Sequence, residues 1–534
     1  MTDTLAAVPG GAGSRPRLRL AELVAALSLG IDLGFGQPME HVLRQCLIAL
    51  RIADRVGLDE EQRCAVYYSA LLISVGCHTD AHEQAKWFGD DIAMKATKFD
   101  HDARSLAGAA SMLRLIGAGN QPLHRFRVGL EFAFSGRKEV DTMVEGHSGM
   151  ARNLASQLGL SQQTQDAVGA AYERWDGRGW PGDLKGEQVP LPSRLAQLAE
   201  YVEVAHRMGG VGASVALAED RAGKHFDPHL AGVFVAHAEE VLGDLDGSET
   251  WETVIAAEPA LGLVLTEDGV EAALVGVADF IDLKSPYTLG HARAVAALAT
   301  AAGRSLGLPP GELTTLRQAA LVHGFGRLGV SNAIWDKPGP LAAGERERVR
   351  MHPYLTERML RQSAWLAPLG AVAVQVRERL DGSGYPRALT GALLSTPARV
   401  LAVADAYQSM VEPRAHRPAL DPAAAAAELK REVAAGRLDA DAVAAVLAAA
   451  GHAVQRRREH AAGLTAREVD VLRLLARGLS SRQIAERLVI SPKTARNHIE
   501  HIYDKIGASS RATASLFAMQ QGLLPEQDYL VASG

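Results

Sequence analysis

Lys493, Arg496, Asn497 and Glu500 recur at the i, i+3, i+4, i+7 spacing that places side chains on one face of a helix. Their chemistry is recognition rather than bond making. Arg and Lys reach the O6 and N7 acceptors of guanine, and Asn pairs with the edge of adenine. The positive end of a helix, meanwhile, sits well beside a phosphate.

The elements that must hold this face can be read from their start and stop signals. Ser491 predicts an N-cap and Pro492 the first helical position, where a missing N–H costs nothing. Ala495, Ile499, Ile502 and Ile506 form the opposing apolar stripe, and Gly507 ends the helix. Upstream, Thr465 with Glu468 and Ser480 with Gln483 have capping-box spacing, each opening a short helix. Val469, Leu472 and Leu475 follow the first box at helical spacing up to Gly478; Ile484, Ala485 and Leu488 follow the second. Val489 and Ile490 make the turn, so the two helices they join must cross steeply.

This segment resembles the LuxR-type helix-turn-helix. It follows the pattern LTxRExEVLxLxAxGxSxxxIAxxLxISxKTVxxHxxxIxxKLG with three conservative departures, Asp470, Ala495 and Ile506. The resemblance implies that Ser491 to Ile506 is the recognition helix. Lys493, Thr494, Arg496 and Asn497 are then the contact candidates, with Glu500 on the same face.

Charge is distributed to match. Between Gln455 and Thr513 the chain holds 12 Lys and Arg against 6 Asp and Glu, whereas the remainder holds 44 against 56. Only the C-terminal unit suits nucleic acid electrostatically. A run of Arg456, Arg457 and Arg458 precedes it, as a solvated linker or a phosphate-contacting arm. Cys46, Cys64 and Cys77 lie in apolar helical contexts without a Cys-x-x-Cys, and are expected to be reduced core thiols. No apolar run approaches the roughly 18 residues of a membrane span, and the N-terminus lacks a signal-peptide core. A cytoplasmic location follows as an expectation.

Before the DNA-reading unit the chain repeats itself. Aligning His41 with His291 gives an offset of 250 that runs without a gap to Gly76 and Gly326, through Gly57-Leu58 and Gly307-Leu308. Further on, an offset of 205 pairs His147 with His352 and ERWDGRGWPGDLKG (173–186) with ERLDGSGYPRALTG (378–391). Two copies of one mainly helical domain, the first with 45 extra residues between Cys77 and His147, account for both offsets.

The second copy, with GHARAV, LVHGFGRLGV, MHP, ERLDGSGYP and AVADAY, resembles the HD-GYP domain of the HD superfamily. That resemblance implies an all-helical fold and a two-metal site hydrolysing cyclic diguanylate. His291, His323, His352 and Asp405 match metal-ligand positions, and Asp405 is the one residue a catalytic reading singles out. The other positions are eroded. Gly324 replaces the Asp of the HD pair, Arg327 the following lysine, and Val376-Arg377 a pair of histidines. In the first copy His41 and His147 persist, but Ile73-Ser74 stands for His-Asp, Ala171-Tyr172 for the paired histidines and Glu200 for the last Asp. Arg174, Trp175, Arg178 and Trp180 are types that stack on a nucleotide or pack a loop.

The expected architecture is all-α, two tandem HD-type helical domains followed by a four-helix LuxR-type domain. Its segments are a disordered leader (1–19), a first copy (20–245), a linker (246–265), a second copy (266–455), a basic linker (456–463), the DNA-binding domain (464–525) and a tail (526–534). The expected function is transcription regulation without catalysis, with double-stranded DNA, a nucleotide or other small-molecule effector and a second copy of the chain as partners. The alternative is a metal-dependent phosphodiesterase in the second copy, with one divalent transition metal on His291, His323 and Asp405.

Overall fold

A computed structural model describes residues 5–6, 17–99, 114–117, 122–132, 137–245, 249–259, 262–451, 462 and 464–524. They divide into two compact units, Met1–Ala273 and Leu274–Gly534. Helices dominate both, as the all-α expectation requires. Among the described residues the one sheet is a pair of two-residue antiparallel strands, Leu5–Ala6 against Val264–Leu265.

The first unit is built on α1 (Leu20–Gly34), α2 (His41–Arg55), α3 (Glu60–Leu72), α4 (Arg137–Gln157) and α5 (Leu191–Arg221). Helix α1 is buried on almost every side, which explains why it is apolar all round rather than striped. Helix α5 is broken at Gly209 and Gly210, where the backbone leaves helical geometry. Two expectations about the flanks need correction. Part of the leader is structured, because Leu18 is buried and Arg19 pairs with Glu258, while Leu5–Ala6 takes part in the sheet. The stretch read as a linker contains α6 (Thr250–Ala256), with Trp251 and Val254 buried and the Tyr67 hydroxyl donating to the Val254 carbonyl. Two buried apolar side chains, one a tryptophan, hold those two turns in place.

In the second unit α7 (Glu267–Asp282) enters from the first, and α8 (His291–Ser305), α9 (Pro310–Val322), α10 (His352–Leu360), α11 (Thr396–Val411) and α12 (Ala440–Gly451) follow. The duplication is structural as well as sequential. Helices α2 and α8, and α3 and α9, begin and end 250 residues apart. The residue before α2 and α8 is left-handed in both copies, Glu40 at φ 80° and Gly290 at φ 74°. A buried carboxylate then accepts from the next turn: Val42 N–H donates to Asp32 (3.0 Å) and Ala292 N–H to Asp282 (2.8 Å).

Close approaches are repeated too. A Cβ on Gly76 would stand 2.2 Å from the His147 carbonyl oxygen, and one on Gly326 1.8 Å from that of His352. Only glycine lets α4 and α10 come so near, which keeps His147 and His352 at matching places. The ordered loops expected at 173–186 and 378–391 are tied by their leading glutamates. Glu173 accepts from the Gly182 and Asp183 amides, and Glu378 from those of Arg387 and Leu389. Both loops carry a cis proline, Pro181 and Pro386.

Burial pushes the Asp32 carboxyl up to about 7, against the opposing pull of His41 and the Val42 amide. The folded chain therefore holds this proton more tightly than the unfolded chain, and stability is lost as pH rises from about 4 to about 7. Asp32→Asn keeps the acceptor for Val42 and removes the titration. Thermal melts should show it stabilising the protein at pH 8 relative to its effect at pH 4, by up to about 4 kcal/mol. An equal shift at both pH values would contradict the assignment.

Candidate functional site

In the second copy α8, the end of α9 and α11 bring His291, His323 and Asp405 together, with donor atoms all within 4.8 Å of one another. All three are buried. His291 Nε2 lies 3.1 Å and His323 Nε2 3.4 Å from Asp405 Oδ1. The other nitrogen of each imidazole is held from behind, His291 Nδ1 by Glu412 at 2.8 Å and His323 Nδ1 by the Ala320 carbonyl at 2.6 Å. Such backing fixes which nitrogen faces the centre. Burial opposes the charge on His291, but Glu412 and Asp405 outweigh it and raise its pKa. Burial lowers His323 despite Asp405, and it therefore presents a neutral imidazole.

Asp405 is the hub. Burial disfavours its charge, yet the Arg377 guanidinium and the two histidines hold its carboxyl well below the usual range. Arg377 Nη2 lies 2.9 Å from Oδ2, and Arg327 Nη2 lies 3.9 Å from Oδ1. His352 is not drawn into this cluster. Its Nδ1 faces the Val349 carbonyl at 2.7 Å, and its ring stands edge-on to Trp335. Burial, Arg377 and Arg327 depress its pKa well below the ordinary histidine value.

The donor set could hold at most one divalent ion, and Arg377 competes for its carboxylate. His291, His323 and Asp405 are a donor set that several transition metals accept, and His323 Nε2 is a buried atom without a hydrogen-bond partner. A second ion would need a bridging carboxylate at Gly324. A Cβ there would stand in ordinary contact with the Arg327 guanidinium, at 3.7–3.8 Å, so a positive charge lies beside the place a second ion would take.

The first copy has a different solution. Glu200, at the place of Asp405, is held by Lys98 Nζ at 2.7 Å from each carboxylate oxygen, and accepts from Ser74 Oγ at 2.9 Å. Lys98 lies between Cys77 and His147, the stretch in which the first copy carries 45 extra residues, so the repeat does not fix a counterpart for it. No alignment of the repeats could have flagged it. His41 pairs with Glu203, which Arg44 also holds at 2.8 Å, and burial of Glu203 is outweighed so that its carboxyl falls to about 2. With Ile73 at the His323 position, this copy lacks the three-donor set. Of the side chains that could stack on a nucleotide or pack the loop, Arg174 pairs with Asp176 at 3.0 Å and Trp175 lies under Arg194, while Arg178 is exposed.

The C-terminal helices match their start signals atom for atom. Helices α13 (Ala466–Ala476), α14 (Ser481–Leu488), α15 (Pro492–Ile506) and α16 (Arg511–Gln520) close the chain. Both capping boxes form, and Ser491 accepts from the Thr494 amide. Each such cap contributes about 1 kcal/mol. Lys505 reaches Glu468 at 2.7 Å, and Arg511 donates to the Gly478 and Leu479 carbonyls, so α15 and α16 are tied back to α13 and the segment after it. Val489 makes the turn in a left-handed conformation, φ 54°. Lys493, Thr494, Arg496, Asn497 and Glu500 are all exposed on α15, while Ala495 and Ile502 are buried beneath them. The basic run at 456–458 lies outside the described residues.

Comparison with known proteins places these sites in a family context. Residues 135–230 and 276–442 match the HD domain model, and residues 462–518 match the model of bacterial regulatory proteins of the luxR family. The chain thus joins HD-type domains related to HD-GYP phosphodiesterases to a LuxR-type helix-turn-helix. It is similar to the 3'3'-cGAMP-specific phosphodiesterase 3 of Vibrio cholerae, with 29% identity over 405 residues, 75% of this chain and 88% of that protein. A 163-residue stretch is 33% identical to the 3'3'-cGAMP-specific phosphodiesterase 1 of the same organism, covering 30% of this chain and 38% of that one. The crystal structure of a V. cholerae cyclic GMP-AMP specific phosphodiesterase, V-cGAP3, superposes with a TM-score of 0.57 at 26% identity, over 82% of this chain and 99% of that one. No helix among the described residues is long and apolar enough to cross a membrane.

If Arg377 supplies the charge that balances Asp405, returning a histidine to that position should favour an ion. After incubation with zinc and desalting, Arg377→His is expected to retain at least about one equivalent by elemental analysis and the parent chain well under one. Equal occupancy would remove Arg377 from this role.

Proposed function

We propose that this chain is a DNA-binding transcription regulator whose HD copies act as sensor or dimerisation modules. The observation that carries the reading is the contrast between two surfaces. Five exposed side chains of base-reading type stand on α15, whereas the buried carboxylates of both HD copies are neutralised by Arg377 and Lys98. Double-stranded DNA is the partner for the first surface, with a nucleotide or other small molecule as effector of the second and a homodimer as the assembly. A contact within the second unit supports communication between them. The Gly290 amide, next to His291, donates to Met519 Sδ on α16 at 2.9 Å.

A second reading rests on the His291, His323 and Asp405 cluster together with the similarity to cyclic dinucleotide phosphodiesterases. In it the second copy is a phosphodiesterase with one metal ion. A bound ion would supply Lewis acidity and an activated water there. The chain's own contribution would be orientation: Glu412 holds His291, and the Ala320 carbonyl holds His323.

Gel shift of the full chain on genomic fragments should show binding that weakens steeply with salt through counterion release. Lys493→Ala and Arg496→Ala are each expected to lower affinity about tenfold, roughly 1–3 kcal/mol, without moving the melting temperature. Binding that is absent or indifferent to salt would defeat the regulator reading. The phosphodiesterase reading instead requires about one equivalent of metal in the parent chain and hydrolysis of a cyclic dinucleotide that Asp405→Ala abolishes. A metal-free parent chain would eliminate it.

A further inference from the structure

The first copy holds a nucleophile that neither reading uses. Cys77 follows α3 at the place that Arg327 takes in the second copy, 250 residues on. Its thiol contacts the Tyr172 hydroxyl, and the His147 imidazole lies beside it. The Asp80 carboxylate stands 2.8 Å from His147 Nε2. His147 is itself buried and hydrogen-bonds the Cys77 thiol. A thiol, an imidazole and a carboxylate linked in series in one enclosed place are the parts that generate a thiolate and supply a proton.

We propose that Cys77 is a site of oxidation by small hydroperoxides, with His147 as the proton donor. Sulfur attacks one oxygen of the hydroperoxide, so an S–O bond forms and the O–O bond breaks. The thiolate is oxidised to a sulfenic acid, and the peroxide is reduced to water or an alcohol. The departing oxygen takes its proton from the His147 imidazolium, which ends neutral. Asp80 is a positioning residue that favours the imidazolium. The enclosure of Cys77, 7% exposed, restricts the reagent to small molecules.

Electrostatics supports this geometry. Burial pushes the Cys77 thiol up, but His147 and Lys98 outweigh it and leave it below the ordinary value, while His147 is raised to about 10. The other thiols behave in the opposite way. Burial raises Cys46, which faces the Tyr67 carbonyl, and Cys64 is pushed up to about 11 by burial and nearby glutamates.

Cys64 is more exposed than Cys77, so accessibility and thiolate character give opposite orders of reactivity for this pair. The full chain is treated briefly with hydrogen peroxide, the peroxide is removed with catalase, and the chain is unfolded in dimedone and digested, each cysteine peptide being quantified by mass spectrometry. Cys77 is expected to label at least about tenfold faster than Cys64, and His147→Gln or Asp80→Asn to lower that ratio about tenfold. The ratio is internal to one molecule, and the parent chain alone tests it without any variant. Faster labelling of Cys64 than of Cys77, or an unchanged ratio in folded His147→Gln, overturns the proposal.

Discussion

A carboxyl removed from water must either keep its proton, as Asp32 does, or meet a positive charge, and the centres of the two HD copies are organised around the second course. Desolvating an ion costs several kcal/mol, and breaking a buried pair by removing one partner costs about 3–5 kcal/mol. In an HD-type metal site the cations are supplied from solution. Here the chain supplies them itself, as the Arg377 guanidinium against Asp405 and the Lys98 ammonium against Glu200. The two copies reach the same electrostatic end by different routes, one with Arg377 beside the last helix's carboxylate and the other with Lys98 from the longer stretch between Cys77 and His147. Each route leaves the fold intact because the charge balance is intact.

The scaffold around these centres has changed far less than the centres. Asp32 and Asp282 receive the amide at the start of the site helix, Gly76 and Gly326 permit the same close helix approach, and Glu173 and Glu378 tie the same loop. These residues do backbone work that is independent of what the pocket binds. Divergence is concentrated in side chains that face the centre, where Cys77 stands opposite Arg327 and Tyr172 opposite Arg377. A fold kept in this way can host unlike chemistry in its two copies.

The DNA-reading unit obeys a local logic. Its caps, stops and stripes are satisfied within a few residues, and the longer contacts, Lys505 to Glu468 and Arg511 to the turn after α13, fasten helices already specified. The exposed face of α15 then follows from the buried one, since Ala495 and Ile502 fix its rotation.

How much could be read beforehand follows from this difference in range. Helix starts at Thr465, Ser480 and Ser491, the ordered proline loops and the duplication are legible, because caps and turns are set by near neighbours and repeats by comparison of the chain with itself. The linker at 246–265 was misread, since docking of α6 depends on a surface far away in sequence. Asp32 and Asp282 were visible in principle, at the same offset of 250 as the helices they cap. Lys98 beside Glu200, Arg377 on Asp405, His352 apart from the other donors, and Cys77 beside His147 were not. By itself the sequence determined which residue types and helices exist; only the tertiary structure decided which buried charges face one another, because charge compensation acts through space between residues tens to hundreds of positions apart.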